Sequence, residues 1–366
     1  MKRIVTLLIV LLFLMCSFLT SCRRGETPVQ TKSDAGFEEI NAFAEAEQTT
    51  GSSAEVKTTG SYVAAVRPSQ TPACTDGSII SETELKGSSI IPISAGSDGV
   101  INVLVIGNSL CVGWQDELSE MLREADQNIV FYTACHGGTT LSQQLEWLQN
   151  NMPEFRLRCY ESRDSLTEDD VTLGYCLDKI EWDAISIQET FIPLAETEYD
   201  SATVMSETRK LAREMYELIR LHCPEATLLW QQTWALEVGH KTNGNHYLES
   251  VDLQERMDKL IYKISNKVVA DNDAYLIPAG LAFKIARDKG SGDLSRGDGC
   301  HDGEEAGGQF LNACVWYECI TGEECRDNPW RPKKYKLSEK RAKMLMRAAH
   351  QAVERIYDDK ESQPLA

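Results

Sequence analysis

This chain is short of positive charge relative to negative. Against 56 Asp and Glu it carries 37 Lys and Arg, a formal net charge of −19. Binding to a phosphate backbone needs a basic surface, and no basic stripe runs along the sequence, so nucleic acid is excluded as a partner. A long hydrophobic run is also missing. The apolar stretch from Ile4 to Leu19 is short for a membrane span, which takes about 20 residues. No Cys-x-x-Cys pair occurs among the 12 cysteines, which removes the close-spaced signature of a structural zinc site. Finally, Arg23 to about Ser97 is poor in large apolar side chains and shows no sustained helical or strand period. Such a segment cannot bury enough apolar surface to offset its ordering entropy.

What is present at the N-terminus is an export pattern. Met1-Lys2-Arg3 supplies the positive start, Ile4 to Leu19 the apolar core, and Leu19-Thr-Ser-Cys22 small residues before a cleavage point. The Leu-Thr-Ser-Cys tetrad resembles a bacterial lipobox, in which the cysteine becomes the lipidated first residue. Residues 1–22 are therefore read as a lipoprotein signal peptide, 23–97 as a flexible tether, and 98–360 as one folded domain. A short strand around Ser88 to Ser94 is a further option within the tether. The protein is expected in the cell envelope, outside the cytoplasm, held to a membrane by a lipid on Cys22. Ten cysteines would remain. In an oxidising compartment disulfides are plausible, with Cys159–Cys176 and Cys319–Cys325 as pairs; in a reducing habitat the thiols are small buried residues.

From Ser97 onward strand and helix patterns alternate. Ile101 to Ile106 is a near-continuous apolar run, as a strand buried on both faces requires. Further strands are predicted at Asn128–Ala134, Asp183–Ile187, Ala226–Gln231 and Tyr275–Pro278. Helices are predicted near Gly113–Ala125, Leu141–Asn150, Thr172–Ile180, after Thr190 up to Pro224, Ser250–Asp271, Gly303–Thr321 and Ser338–Asp358. Arg156 to Leu173 reads as a charged, irregular excursion, and the helix ending at Thr321 as amphipathic. Five strands separated by helices give an α/β fold, a parallel sheet with helices on both faces. In such sheets ligands collect at the carboxyl ends of the strands. The polar and glycine-rich clusters Gly107-Asn-Ser109, Gly137-Gly138, Gln188-Glu189 and Gln232-Thr-Trp234 all follow strands.

A serine hydroxyl needs a neighbouring base, and the base an orienting partner. Ser109 follows the first strand. His301 is the candidate base, and Asp298, three residues earlier, the candidate orienter. The backbone N–H of Ser109, an N–H of Gly137 or Gly138 and a side-chain amide would hold an oxyanion.

At these residues the chain resembles the SGNH, or GDSL-like, hydrolase superfamily. Gly107-Asn-Ser-Leu110 looks like its nucleophile block, Asp298-Gly-Cys-His301 matches its Asp-x-x-His block, and Gly137 or Gly138 falls where its oxyanion glycine is expected. Ile106-Gly-Asn-Ser109, Gln188-Glu189 and Ala313-Cys-Val-Trp-Tyr-Glu318 look like an uncharacterised, largely bacterial branch of it. The resemblance covers roughly Asn102 to Gly322. It implies a three-layer, flavodoxin-like α/β/α fold and esterase chemistry with no metal or cofactor. Two positions depart from the pattern. Asn108 replaces the usual Asp before the serine, and the Gly-x-Asn block after the third strand is absent, with Gln188 as the substitute donor.

The expected substrate is a small-molecule or glycan ester, an acyl group on a carbohydrate or cell-envelope glycan being the analogy nearest to hand. Trp234 is the aromatic placed to stack on a sugar, and Glu189 is either part of the site or merely exposed. Three other readings compete. One is a non-catalytic, glycan-binding surface lipoprotein on the same fold. Another is zinc held by Cys135-His136 and Cys300-His301. The last is Cys111 as nucleophile.

Overall fold

The computed structural model describes residues 90–160, 166–190, 201–239 and 248–357. The predicted signal peptide, Cys22 and the tether up to residue 89 lie outside the described residues, as do His240 and His246. Within 90–97 the chain is already packed. Ile91 is fully buried, its N–H donates to the Cys319 carbonyl at 3.2 Å, and the Pro92 carbonyl accepts from the Thr227 hydroxyl at 3.2 Å. Packing therefore starts ahead of the boundary expected at residue 98.

The strands are β1 (Ile101–Gly107), β2 (Ile129–Cys135), β3 (Phe155–Cys159), β4 (Thr167–Val171), β5 (Ala184–Ile187), β6 (Thr227–Gln231) and β7 (Tyr275–Ile277). They form one sheet in the order β4-β3-β2-β1-β5-β6-β7. The five strands β2, β1, β5, β6 and β7 are the predicted parallel set. The sheet has seven strands, not five, because β3 and β4 extend it antiparallel beyond β2. These two fill the stretch read as an irregular excursion. Phe155, Leu157 and Cys159 turn inward while Arg156 and Arg158 point out. Acidic β4 forms the edge, with Asp169 paired to Arg156. Charge on an edge strand deters further pairing, and it also masks the strand's apolar signature.

The helices are α1 (Gln115–Glu124), α2 (Leu141–Gln149), α3 (Leu173–Asp178), α4 (Ser201–His222), α5 (Val251–Asn272), α6 (Ala279–Asp288), α7 (Gly308–Thr321) and α8 (Glu339–Tyr357). Contacts sort them into two layers, α1, α6, α7 and α8 on one face and α2, α3, α4 and α5 on the other. Helix α6 has no counterpart in the expectations. It starts directly at Pro278, with no polar linker after β7. Helix α7 is not amphipathic: every residue from Phe310 to Thr321 is buried. A helix enclosed on all sides sits in the middle of its layer, here between α1 and α8. Trp114 and Trp316 stack at 4.8 Å between α1 and α7, with Phe131 of β2 edge-on to both.

None of the cysteines in the described residues is bonded. The Cys159–Cys176 and Cys319–Cys325 pairs are not formed. The thiols that do meet are Cys111 with Cys135 and Cys314 with Cys325.

Candidate active site

Register decides what meets at the carboxyl edge of the sheet. Gly107, the last residue of β1, lies beside Cys135, the last of β2, so Ser109 emerges next to His136-Gly137-Gly138. On the other side Val105 pairs with Ser186, which sets Gly107 against Gln188. The strand order reverses about β1, the crevice position for ligands in this fold class.

After Gly107 the chain makes a 3-10 turn, Ser109–Cys111, capped by Asn108. The Asn108 Oδ1 accepts from Leu110 N–H at 3.0 Å, and its Nδ2 donates to the Thr139 carbonyl at 2.8 Å. One side chain thus closes the serine turn and ties it to the glycine loop. Gln188 lies beneath. Its Nε2 donates to Asn108 Oδ1 at 2.8 Å. The reversed amide would instead put its oxygen 3.2 Å from Asn108 N and 3.3 Å from Cys111 N. We favour the first orientation, because the second sets two oxygens 2.8 Å apart with no proton between them. Either way Gln188 is fully buried under Asn108. A Cβ on Gly107 would meet the Gln188 amide at 2.7 Å, so glycine is required there. Gln188 is therefore spent inside the turn. In this arrangement a substrate cannot reach it, contrary to the role of oxyanion donor expected of it.

Asp298 and His301 lie on a tight loop between α6 and α7, not on a helix start. The Gly303 N–H donates to the Leu294 carbonyl at 2.9 Å and the Arg296 N–H to the His301 carbonyl at 3.0 Å. Two groups from the segment after β6 fix this loop: Trp234 Nε1 donates to the Cys300 carbonyl at 2.7 Å, and Glu237 N–H to the Gly299 carbonyl at 2.8 Å. Trp234 is buried and stacked on Phe283 at 4.4 Å. It is not the exposed sugar platform expected; it holds the histidine loop.

The result is a continuous chain of hydrogen bonds. Ser109 Oγ lies 2.7 Å from His301 Nε2, and His301 Nδ1 lies 2.7 Å from Asp298 Oδ2. The Asp298 Oδ1 accepts from Cys300 N–H and His301 N–H, each at 2.9 Å. Burial works to raise the Asp298 pKa. The hydrogen bond and charge of the His301 ring, with the two N–H groups, outweigh it and hold the carboxyl well below the usual range. Ser109 and His301 are both partly exposed, so the chain opens to solvent.

Gly137 and Gly138 form a turn beside Ser109, and Gly138 has φ +71°, with open space where a Cβ would stand. Their N–H groups have no acceptor among the described residues. Thr139 braces this loop. Its hydroxyl donates to the His136 carbonyl and accepts from Gln144 Nε2, each at 3.0 Å. Glu189 is buried, not exposed. Its carboxylate accepts from Leu141 N–H at the start of α2 and from Thr190 N–H at 2.7 Å. Burial pushes its pKa up to about 7 despite those bonds.

Thr139 and Arg296, whose Nε lies 3.0 Å from Asp298 Oδ2, are site residues that sequence reasoning missed. No motif marks them. Their partners come from loops distant in sequence or from a neighbour whose orientation only the fold defines.

The competing ligand sets are not assembled. His136 packs against Trp147 with Nδ1 on the Glu154 carbonyl, while His301 is engaged as above. Among the described residues no three His, Cys, Asp or Glu converge as metal ligands. Cys111 is fully buried, and burial raises its thiol pKa well above the ordinary value, with contact to Cys135 adding to it. A thiol needs the opposite shift to be a nucleophile.

Comparison with known proteins places the chain. A family model described as "Domain of unknown function (DUF4886)" matches residues 102–352. A DUF4886 family protein from Bacteroides uniformis, solved by crystallography, is 26% identical with a TM-score of 0.61, over 73% of this chain and 98% of that one. A family 3 carbohydrate esterase from Clostridium thermocellum matches at 15% identity and TM-score 0.37, over 60% and 94%. A member of the lipolytic protein G-D-S-L family from Veillonella parvula matches at 12% and 0.38, over 61% and 99%. No curated protein matches. With a seven-stranded, parallel-centred sheet between two helical layers, and with the family model spanning residues 102–352, the chain belongs to the DUF4886 family.

Proposed function

We propose that this protein is a serine-dependent ester hydrolase working through an acyl-enzyme. The observation that carries the reading is the Ser109–His301–Asp298 chain, with both bonds at 2.7 Å. Ser109 Oγ attacks the ester carbonyl as its proton passes to His301 Nε2. Asp298 Oδ2, accepting from Nδ1–H, keeps the ring in the tautomer that leaves Nε2 free, and then stabilises the imidazolium. The oxyanion is held by the N–H of Ser109 and by Gly138 or Gly137. His301 returns the proton to the departing alcohol, then takes one from water to release the acyl group. With Gln188 committed to Asn108, two donors carry the oxyanion where the wider superfamily resemblance implies three. Losing one such donor costs about 10²–10³ in rate, so slow turnover is expected.

The natural ester, on this proposal, is an acyl group on a cell-envelope or other glycan. The N-terminal lipobox supports a lipid anchor on Cys22 that keeps the domain outside the cytoplasm. Replacing Cys22 with Ala should release the protein from the membrane fraction; retention there would count against the anchor. Hydrolysis of a small chromogenic acetate ester in the presence of EDTA tests the chemistry. Wild type should turn over, and Ser109→Ala and His301→Ala should fall by at least about 10³-fold. The buried Gln188 gives a second reading some weight, a glycan-binding protein on a retired hydrolase fold. Failure of a serine-reactive phosphonate to label Ser109, together with measurable glycan affinity, would favour it.

A further inference from the structure

Asp298 is occupied by more than the histidine ring. Its Oδ1 takes two main-chain N–H groups, and its Oδ2 takes both His301 Nδ1 at 2.7 Å and Arg296 Nε at 3.0 Å. A carboxylate offers about four acceptor sites, so all of them are filled, one by a permanent cation. Arg296 is held in place by its own backbone, which donates to the His301 carbonyl at 3.0 Å. The guanidinium is thus fixed to the loop that carries the base. Its side chain is 30% exposed, so its charge acts through partly aqueous surroundings.

We propose that Arg296 is a positioning residue that sets the pH range over which His301 works as a base, by sharing the Asp298 carboxylate with it. Asp298 alone would favour the imidazolium strongly. A guanidinium on the same oxygen offsets part of that attraction and repels the imidazolium directly, so the ring stays neutral to lower pH. It also fixes the carboxylate rotamer that aims Oδ2 at Nδ1. Other charged or titratable groups surround His301. Asp302 is fully buried next to it, with its pKa pushed up to about 7 by burial. The Cys300 thiol is buried one residue before it. Glu237, whose N–H reaches this loop, faces Arg287 at 4.0 Å and feels Asp293. The serine turn Ser109–Cys111 brings no charged side chain. Of these groups Arg296 is the one bonded to the histidine's own carboxylate.

The inference rests on the proposed triad only for its activity readout. The direct test is an NMR titration of the His301 ring in the full chain, with the resonance assigned by its loss in His301→Ala. In Arg296→Gln the midpoint should rise by roughly 0.5–1 pH unit, while Arg296→Lys should stay near wild type. Arg296→Met should behave as Gln does, and serves if Gln fails to fold. The acid limb of the kcat/KM profile for the acetate ester should move by the same amount, with the plateau less affected. The shift must persist in an Asp302→Asn background, which removes the neighbouring carboxyl. A midpoint unmoved in folded Gln and Met variants would overturn the proposal, as would an equal shift in Lys or a shift lost with Asp302. If wild type proves inactive but the midpoint moves, the esterase reading fails and this one stands.

Discussion

Asp298 is the residue on which the proposed chemistry and local stability converge. Its pKa is depressed in the fold, so its contribution to stability is present above the ordinary value of 3.8 and is lost as pH falls through the folded value. Asp298→Asn should lower kcat by about 10²–10⁴-fold, because the amide can hold the wrong tautomer of His301. It should also destabilise the domain at pH 7 by about 1–3 kcal/mol. Denaturant melts of both proteins between pH 7 and pH 2 should show that gap narrowing below about pH 4, where the unfolded chain takes up the proton that the folded carboxylate still refuses; a constant gap would mean the loss is one of packing. That Ser109, Asp298 and His301 would be brought together was readable in the sequence, since spacing and order carry it. Gln188 and Trp234 were singled out for following strands, but strand ends feed the interior as well as the cleft. Both side chains turned inward, where the amide and the indole N–H found partners.

Among the elements, the serine turn and the glycine loop are a coupled pair. Asn108 is the link, donating to Thr139 on one side and accepting from Leu110 and Gln188 on the other. This explains an Asn where the superfamily resemblance implies Asp. A carboxylate could accept the same bonds but could not donate to the Thr139 carbonyl, and would face that oxygen unprotonated. Asn108→Asp should therefore cost about 1–3 kcal/mol of stability and slow ester hydrolysis by loosening Gly137-Gly138. A thermal melt and a kcat measurement check both; an equally stable, equally active variant would show that the link is dispensable. The parallel strands were legible because burial on both faces writes continuous apolar runs. β3 and β4 were not, because alternating arginines and an acidic edge hide strand signals among charge.

At the scale of the whole fold, the buried carboxyls Glu117, Glu189, Glu237, Asp258, Asp302 and Glu318 lean the other way from Asp298, three of them far enough to titrate near neutral pH. Burial raises Glu117 to about 8, Glu189 to about 7 and Asp302 to about 7. Between the ordinary values near 4 and these raised ones, the folded state binds protons that the unfolded state has released. Stability therefore falls as pH rises through that window, by up to about 1.4 kcal/mol per pH unit for each group. The domain should be more stable at pH 5 than at pH 8 in urea melts. Glu117→Gln, which keeps a side chain against Tyr335, should flatten the slope by the share of one group. A slope unchanged in that variant would place the titration elsewhere.

The parallel α/β core, the serine after β1 and the aspartate and histidine before α7 can all be read from the order of the amino acids. Each is written in local pattern: apolar runs, turn residues and a three-residue spacing. Which polar side chains face the cleft and which face the core was settled by packing in the folded chain. Packing also decided that α7 is enclosed on all sides and that Arg296 shares the carboxylate of Asp298. Those outcomes depend on register between strands and on loops brought together from distant parts of the chain. No periodicity in one segment encodes what a second segment will place against it.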